Sequence, residues 1–363
     1  MRKFSKKEKN IIQYAFLVFL ILVTGIIISK TIDYRRIPDV IAFADKRYLL
    51  AGVMVILLYI LLETIIFQWI INSIEKNKQK RSIGIQMGTI GLYYNLVTPF
   101  ASGSQPMQIY LMNKYGISLS RAVAIVTNKT MLFQSVVTVI CGGVILFNQE
   151  MIMERHSSII PLLTAGMAMN IISIIVGIMI VLNPEFMKKV ADFIIYRLGK
   201  LRMFRFLNGK NERVHHYIDD FNKSILMYIS EWKSLIATVM LTFIQLFLYF
   251  SIAFLIYKAS KLSGAGFFRI FSCQVLLYMT ISPIPTPGNV GANEITFFNI
   301  FNGLFPKQYV GYAVIMYSFF VYYFILLFCG VCTWISHYMM DRNIEKKRKD
   351  RKRENKHEQF LTN

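Results

Sequence analysis

SPIPTPGNVGANE, residues 282–294, interrupts a chain that is otherwise almost continuously apolar. Pro283, Pro285, Pro287 and Gly288 crowd into six positions. Each proline lacks an amide donor and clashes with the preceding turn, so no helix runs through them. Lipid cannot satisfy the freed amides and carbonyls, and such a break survives at membrane depth only where protein or water surrounds it. A second broken stretch, TPFASGSQP at residues 98–106, lies upstream. The pair marks the region where function is expected.

Working outward, the 363 residues are 55% hydrophobic and include 29 phenylalanines, with a mean hydropathy of +0.46. A soluble domain needs far less, so the chain reads as an integral membrane protein. Its formal charge of +21 gathers in the ends and loops, as positive-inside anchoring requires. Nucleic acid is therefore not an expected partner. Cys141, Cys273, Cys329 and Cys332 all sit in apolar runs, where free cysteine acts as a small hydrophobe. Cys329 and Cys332 form a CxxC with no second pair, so neither a metal site nor a disulfide framework is expected. No cofactor is expected either, since no P-loop, nucleophile elbow or HExxH is present.

A span needs about 20 apolar residues. Six runs qualify: 11–29, 48–71, 121–147, 158–182, 234–257 and 308–336. The first follows RKFSKKEK, has no small-residue cleavage site, and reads as an uncleaved span. Two shorter runs, 83–97 and 267–281, lead straight into the two breaks. Each is about 22 Å long as a helix, short for a hydrocarbon core of about 30 Å.

Charge sets the sides. Basic residues crowd the N-terminus, the loop with Lys76, Lys78, Lys80 and Arg81, the segment 183–233 and the tail after His337, which places all four in the cytoplasm. The loop 30–47 departs from the rule, with Lys30, Arg35, Arg36, Lys46 and Arg47 partly offset by Asp33, Asp39 and Asp45. On this map each broken segment leaves by the side it entered, from opposite faces. The expected fold is therefore all-α and polytopic, with about six full transmembrane helices plus two opposed re-entrant helical hairpins in an inverted repeat. Aligning Thr98-Pro99 with Ser282-Pro283 gives an offset of 282 − 98 = 184, and the neighbouring spans repeat at nearly the same offset. The expected domain covers 1–340, with repeats at about 48–147 and 234–336, an amphipathic linker at 183–233 and a basic, disordered tail at 341–363.

Inverted repeats with paired broken helices point to a transporter whose site lies between the breaks. Candidate site residues are therefore Pro99, Gly103, Gln105, Gln108, Pro287, Gly288, Asn289, Gly291 and Asn293. Asn95 and Gln134 are further candidates for a polar cavity, although interhelical hydrogen bonding explains these two and Gln105, Gln108, Asn289 and Asn293 equally well. Glu294, heading a short helix at 295–304, either complements the helix N-terminus, or grips a cation or relays a proton. Glu63 and Lys129 lie inside spans, where a lone charge is expensive. Lys129 either snorkels or holds a phosphate, and Glu63 is protonated or paired, with Lys129 as its candidate partner.

TPFASGSQPMQIYLMNKYGIS and SPIPTPGNVGANE together resemble the two hallmark stretches of the lysylphosphatidylglycerol synthase transmembrane family, the flippase-like integral membrane proteins. Pro287, Gly288, Gly291 and Glu294 match its pattern one by one. Where many members carry a Glu-Arg pair, this chain has Asn128-Lys129. Relatives that attach lysine to phosphatidylglycerol carry a soluble domain after the membrane part, and nothing of that size follows here. The resemblance therefore implies the lipid-translocating half. The expected function is movement of a phospholipid or other lipid with a charged headgroup across a bacterial cytoplasmic membrane, with both termini cytoplasmic. A lysyltransferase-type membrane subunit and an enzyme-binding scaffold are the alternatives. Expected partners are membrane lipids (anionic or aminoacylated phospholipid, glycolipid or polyprenyl-phosphate lipid), and a second copy or a separate lipid-modifying enzyme.

Overall fold

The computed structural model describes residues 37–75, 82–155, 157–200, 209 and 211–338. The expected first span at 11–29 and the tail at 341–363 lie outside them. Among the described residues the secondary structure is helical apart from one isolated bridge, Asn302 to Phe305. Five helices are long and apolar enough to cross a membrane: Lys46–Ile74, Leu119–Phe147, Ser157–Leu182, Trp232–Ala259 and Lys307–Tyr338. They coincide, within a few residues at each end, with the five expected spans that fall in this region. The chain is an integral membrane protein.

In chain order the helices are α1 (Ile37–Phe43), α2 (Lys46–Ile74), α3 (Ser82–Val97), α4 (Ser104–Lys114), α5 (Leu119–Phe147), α6 (Gln149–Arg155), α7 (Ile160–Leu182), α8 (Pro184–Gly199), α9 (Asn211–Ser230), α10 (Trp232–Ala259), α11 (Phe267–Ile281), α12 (Ala292–Ile300) and α13 (Lys307–Tyr338). Asp45 opens α2 by accepting from the amide of Arg47 (2.9 Å), and Ser118 opens α5 in the same way at Arg121 (3.4 Å). Both satisfy amides that a helix start leaves unpaired. The long helices turn Leu50, Ile172, Phe243 and Trp334 outward, an apolar exterior that suits lipid rather than water.

Lipid tails offer helices no hydrophobic reason to associate, so close packing and interhelical hydrogen bonds hold the bundle. α2 and α10 pack along their length at its centre, burying Ile56, Phe67, Leu246 and Phe250. Small residues admit backbone elsewhere: a Cβ on Gly166 of α7 would lie 2.2 Å from the carbonyl oxygen of Met279 in α11.

The two short helices α3 and α11 each lead into a break and then a helix that packs back on them. In the first hairpin Gln108 of α4 donates to the carbonyl of Met87 near the start of α3 (2.9 Å), and the Tyr115 hydroxyl reaches Gln86. The hairpin thus closes at the end of α2 where Glu75 pairs with Arg121 (3.2 Å). In the second, the amide of Ala265 donates to the Tyr257 hydroxyl (2.9 Å), and that ring meets Phe305 (5.4 Å between centroids). This hairpin closes at the other end of α2, where the Asp45 amide donates to Ala259 (2.9 Å).

The register of the two breaks differs from the sequence alignment. Thr98 (φ −118, ψ 144) precedes the turn Pro99–Ala101, and Thr286 (φ −101, ψ 143) precedes the turn Pro287–Asn289. The next residues are left-handed in both: Phe100 and Ala101 at φ 53 each, Gly288 at 58 and Asn289 at 56. α4 then begins at Ser104 and α12 at Ala292. The matching offset at the turns is therefore 286 − 98 = 188, whereas α3 and α11 end at Val97 and Ile281, 281 − 97 = 184 apart. The second break carries four more residues than the first between helix and turn, Ser282 to Pro285. Because they supply a Ser-Pro of their own, they captured the alignment.

The segment 183–233 holds α8 and α9, joined by the pairing of Lys188 with Glu185 (2.9 Å) and Asp219 (2.8 Å). Hydrogen bonds to Asp219 and then Glu185 hold the Lys188 ammonium above the ordinary lysine range. α9 docks on the spans: Asn222 donates to the Val181 carbonyl (2.5 Å), and Ser120 pairs with Asp220.

Candidate functional site

A polar cavity of about 360 Å³ opens between the two breaks. α2, α3, α5, α10 and α11 wall it, and residues of both turns reach it: Phe100 and Ala101 from the first, Gly288 and Asn289 from the second. The two turns touch each other. Gly288 lets the second turn press against α13 and the end of α3: a Cβ there would lie 2.0 Å from Tyr322 and 3.0 Å from the carbonyl of Leu96. Tyr322 belongs to a π-helical turn, Phe319–Phe324, inside α13, a local widening that often accompanies functional sites.

Of the candidate site residues, Glu63, Gln105, Gln108, Lys129, Gly288, Asn289 and Asn293 line the cavity, as do Asn95 and Gln134. Pro99, Gly103, Pro287, Gly291 and Glu294 do not. The prolines start the two turns, and Gly103 and Gly291 sit at the N-caps of α4 and α12. Gly291 takes φ +83, a conformation that glycine adopts without steric cost.

Glu63 (2% exposed) and Lys129 form an ion pair in the wall. The second carboxylate oxygen of Glu63 accepts from Gln245 Nε2 (2.8 Å), linking α2, α5 and α10. The Lys129 ammonium also faces the rings of Phe133 (4.9 Å) and Phe67 (5.4 Å), a favourable cation–π arrangement. Its side chain keeps 15% exposure, so one charge remains reachable from the cavity. The pair offsets two desolvation costs at once, and removing either partner strands the other.

Glu294 has a different setting. α12 begins at Ala292, three residues earlier than the sequence suggests, so Glu294 sits inside its first turn rather than ahead of it. One carboxylate oxygen accepts from the Gly291 amide (2.6 Å) and the other from the Ser318 hydroxyl (2.7 Å). It supplies the N3 half of a capping box, reaching back to the N-cap amide, and ties α12 to α13.

Sequence reasoning missed the aromatic wall of Tyr59, Tyr249 and Tyr278, and also Asn170 of α7. Tyr59 and Tyr249 lie 5.2 Å apart between ring centroids, and Tyr249 and Tyr278 6.0 Å. The signal available was Thr-Pro-x-x-x-Gly, present at residues 98–103 and 286–291, which fixes the register and points the flanking faces at one another. Among the described residues no group of three or more His, Cys, Asp or Glu is placed to hold a metal ion.

A family model described as the lysylphosphatidylglycerol synthase TM region matches residues 10–329. The chain belongs to this family. No curated protein and no solved structure matches it. The matched part of this lysylphosphatidylglycerol synthase TM chain includes both breaks, the Glu63–Lys129 pair and every cavity residue named above, which places the protein in lipid-related membrane biology.

Proposed function

We propose that the protein is a flippase-like transporter that moves a phospholipid or other lipid with a charged headgroup between the leaflets of a bacterial cytoplasmic membrane. The observation that carries this reading is the cavity bounded by both breaks, with a reachable ammonium paired to a buried carboxylate in its wall. A lipid phosphate entering the cavity meets Lys129, while Glu63 keeps that ammonium compensated when the site is empty. The two hairpins act as opposed re-entrant elements of an inverted repeat, since they close at opposite ends of α2. Alternating access then needs one half to rock against the other about the touching turns. The termini face the cytoplasm, as the basic loops require.

Reconstitution into liposomes with acyl-labelled fluorescent lipid tests the activity, read as the fraction of label that a membrane-impermeant reductant destroys. Lys129→Met is expected to slow movement at least about tenfold, the effect of losing one charge-assisted contact of about 1.5–3 kcal/mol. Equal rates in protein-free and protein-containing vesicles would sink the reading. Topology has its own test. Single cysteines at Lys114 and Asn302, exposed near the bases of the two hairpins, should label from opposite sides of the membrane.

A further inference from the structure

The cavity's hydrogen-bonding groups are unevenly spent. Four lining carboxamides commit their amino groups to the protein. Gln105 donates to Thr130 (3.2 Å), Gln108 to the Met87 carbonyl (2.9 Å), Asn170 to the Gly166 carbonyl (2.9 Å) and Asn293 to the Gly288 carbonyl (3.4 Å). Their carbonyl oxygens accept nothing from the described residues, and Asn293, 4% exposed, keeps its Oδ1 buried without a partner. The Thr286 hydroxyl is buried and unpartnered as well. Among the described residues Asn95, Gln134 and Asn289 find a partner for neither end of their amides, and the hydroxyls of Tyr59, Tyr249 and Tyr278 bond to none.

This lining is rich in free acceptors and still offers amide and phenolic donors. A hydroxyl group both donates and accepts, so it matches such a surface; an ammonium only donates, and a phosphate only accepts. Charge narrows the choice further. Among the described residues Glu63 and Lys129 are the only charged ones lining the cavity, and both oxygens of Glu63 are already taken, by Lys129 and Gln245. A cationic headgroup would meet the Lys129 ammonium with no free carboxylate to offset it. The adjoining rings of Tyr59, Tyr249 and Tyr278 present apolar faces that the carbon-bound side of a polyol can cover.

We infer that the cavity takes the uncharged polyol part of a lipid headgroup, a glycerol or a sugar, whose hydroxyls engage the free carboxamides while the adjoining phosphate faces Lys129. The inference rests on the lipid-moving reading of this same cavity and specifies what it selects. Asn293 is then a specificity residue, because its buried oxygen gains a partner only when a donor arrives.

Two measurements test it separately. In the liposome assay, acyl-labelled phosphatidylglycerol should move at least about tenfold faster than labelled phosphatidylethanolamine or lysyl-phosphatidylglycerol, and Asn293→Asp should shrink that ratio several-fold by offering a carboxylate to the ammonium. Equal rates, or faster movement of either ammonium-bearing lipid by the native chain, overturns the inference and leaves transport standing. The second measurement is the unfolding midpoint of the intact detergent-solubilised protein with each unlabelled lipid added. Phosphatidylglycerol should stabilise and phosphatidylethanolamine should not. Equal stabilisation overturns the polyol assignment whatever the transport rates, whereas selective stabilisation without lipid movement keeps the assignment and removes the transport reading.

Discussion

Thr98 and Thr286 occupy matching backbone positions in the two breaks, yet their hydroxyls are used differently. Thr98 Oγ1 donates to the Tyr94 carbonyl (2.6 Å) and accepts from the Gly103 amide (3.0 Å), so the first hairpin closes on itself. Thr286 Oγ1 makes neither bond. The second hairpin is closed instead by Glu294, which holds Gly291 at the N-cap of α12 and Ser318 in α13. The residues at the turn apex diverge as well: Phe100 stands 58% exposed, while Gly288 is pressed against Tyr322 and the Leu96 carbonyl. The same backbone turn is thus held locally in one break and by tertiary partners in the other. Outsourcing the closure leaves Thr286 and Asn293 with polar atoms to spare in the cavity wall.

The largest expected effect comes from equalising the apices. Gly288→Ala puts a Cβ into the Tyr322 ring at a left-handed position. It should destabilise the protein by about 2–4 kcal/mol, the sum of overpacking and left-handed strain. Phe100→Ala, at the matching exposed site, should stay within about 0.5 kcal/mol. Thermal unfolding in detergent reads both, and a normal midpoint for Gly288→Ala would mean the second turn does not pack against Tyr322 and Leu96 as described.

A middle-sized effect separates the two closures. Glu294→Gln loses a charge-assisted cap and should cost about 1–2 kcal/mol. Thr98→Val leaves the Gly103 amide without its acceptor and should cost about 1 kcal/mol. Thr286→Val should be neutral for stability, because its hydroxyl has no partner to lose, and a loss equal to that of Thr98→Val would erase the contrast. The smallest change is a gain. Ala101 sits at φ 53, so Ala101→Gly should raise stability by about 0.5–1 kcal/mol once glycine's extra chain entropy is offset. Asn289→Gly should gain less, since asparagine tolerates that conformation.

Much of this architecture was legible in the residues. α11 begins and ends where its apolar run does, at Phe267 and Ile281, because lipid allows no gradual transition from span to loop. Glu63 and Lys129 stood out as charges that hydrocarbon does not tolerate alone, and pairing was one of several readings left open. The register of the breaks was harder, because the additional segment Ser282 to Pro285 imitates the Thr-Pro that starts the turn. Tyr59, Tyr249 and Tyr278 carried no mark of a site at all; aromatic residues in spans pack, anchor or line cavities with the same composition.

The sequence by itself determined the membrane class, the positions of the five described spans and the two places where the backbone breaks. Those are consequences of one-dimensional facts: runs of apolar residues, missing amide donors and the cost of stranding a charge. Only the tertiary structure decided that Glu294 caps a helix while Asn293 beside it faces the cavity, and that Thr98 and Thr286 have opposite fates. The physical reason is that a hydrogen bond depends on which group stands within about 3 Å in space, and the partners Ser318, Gln245 and Tyr322 come from helices far away in the chain.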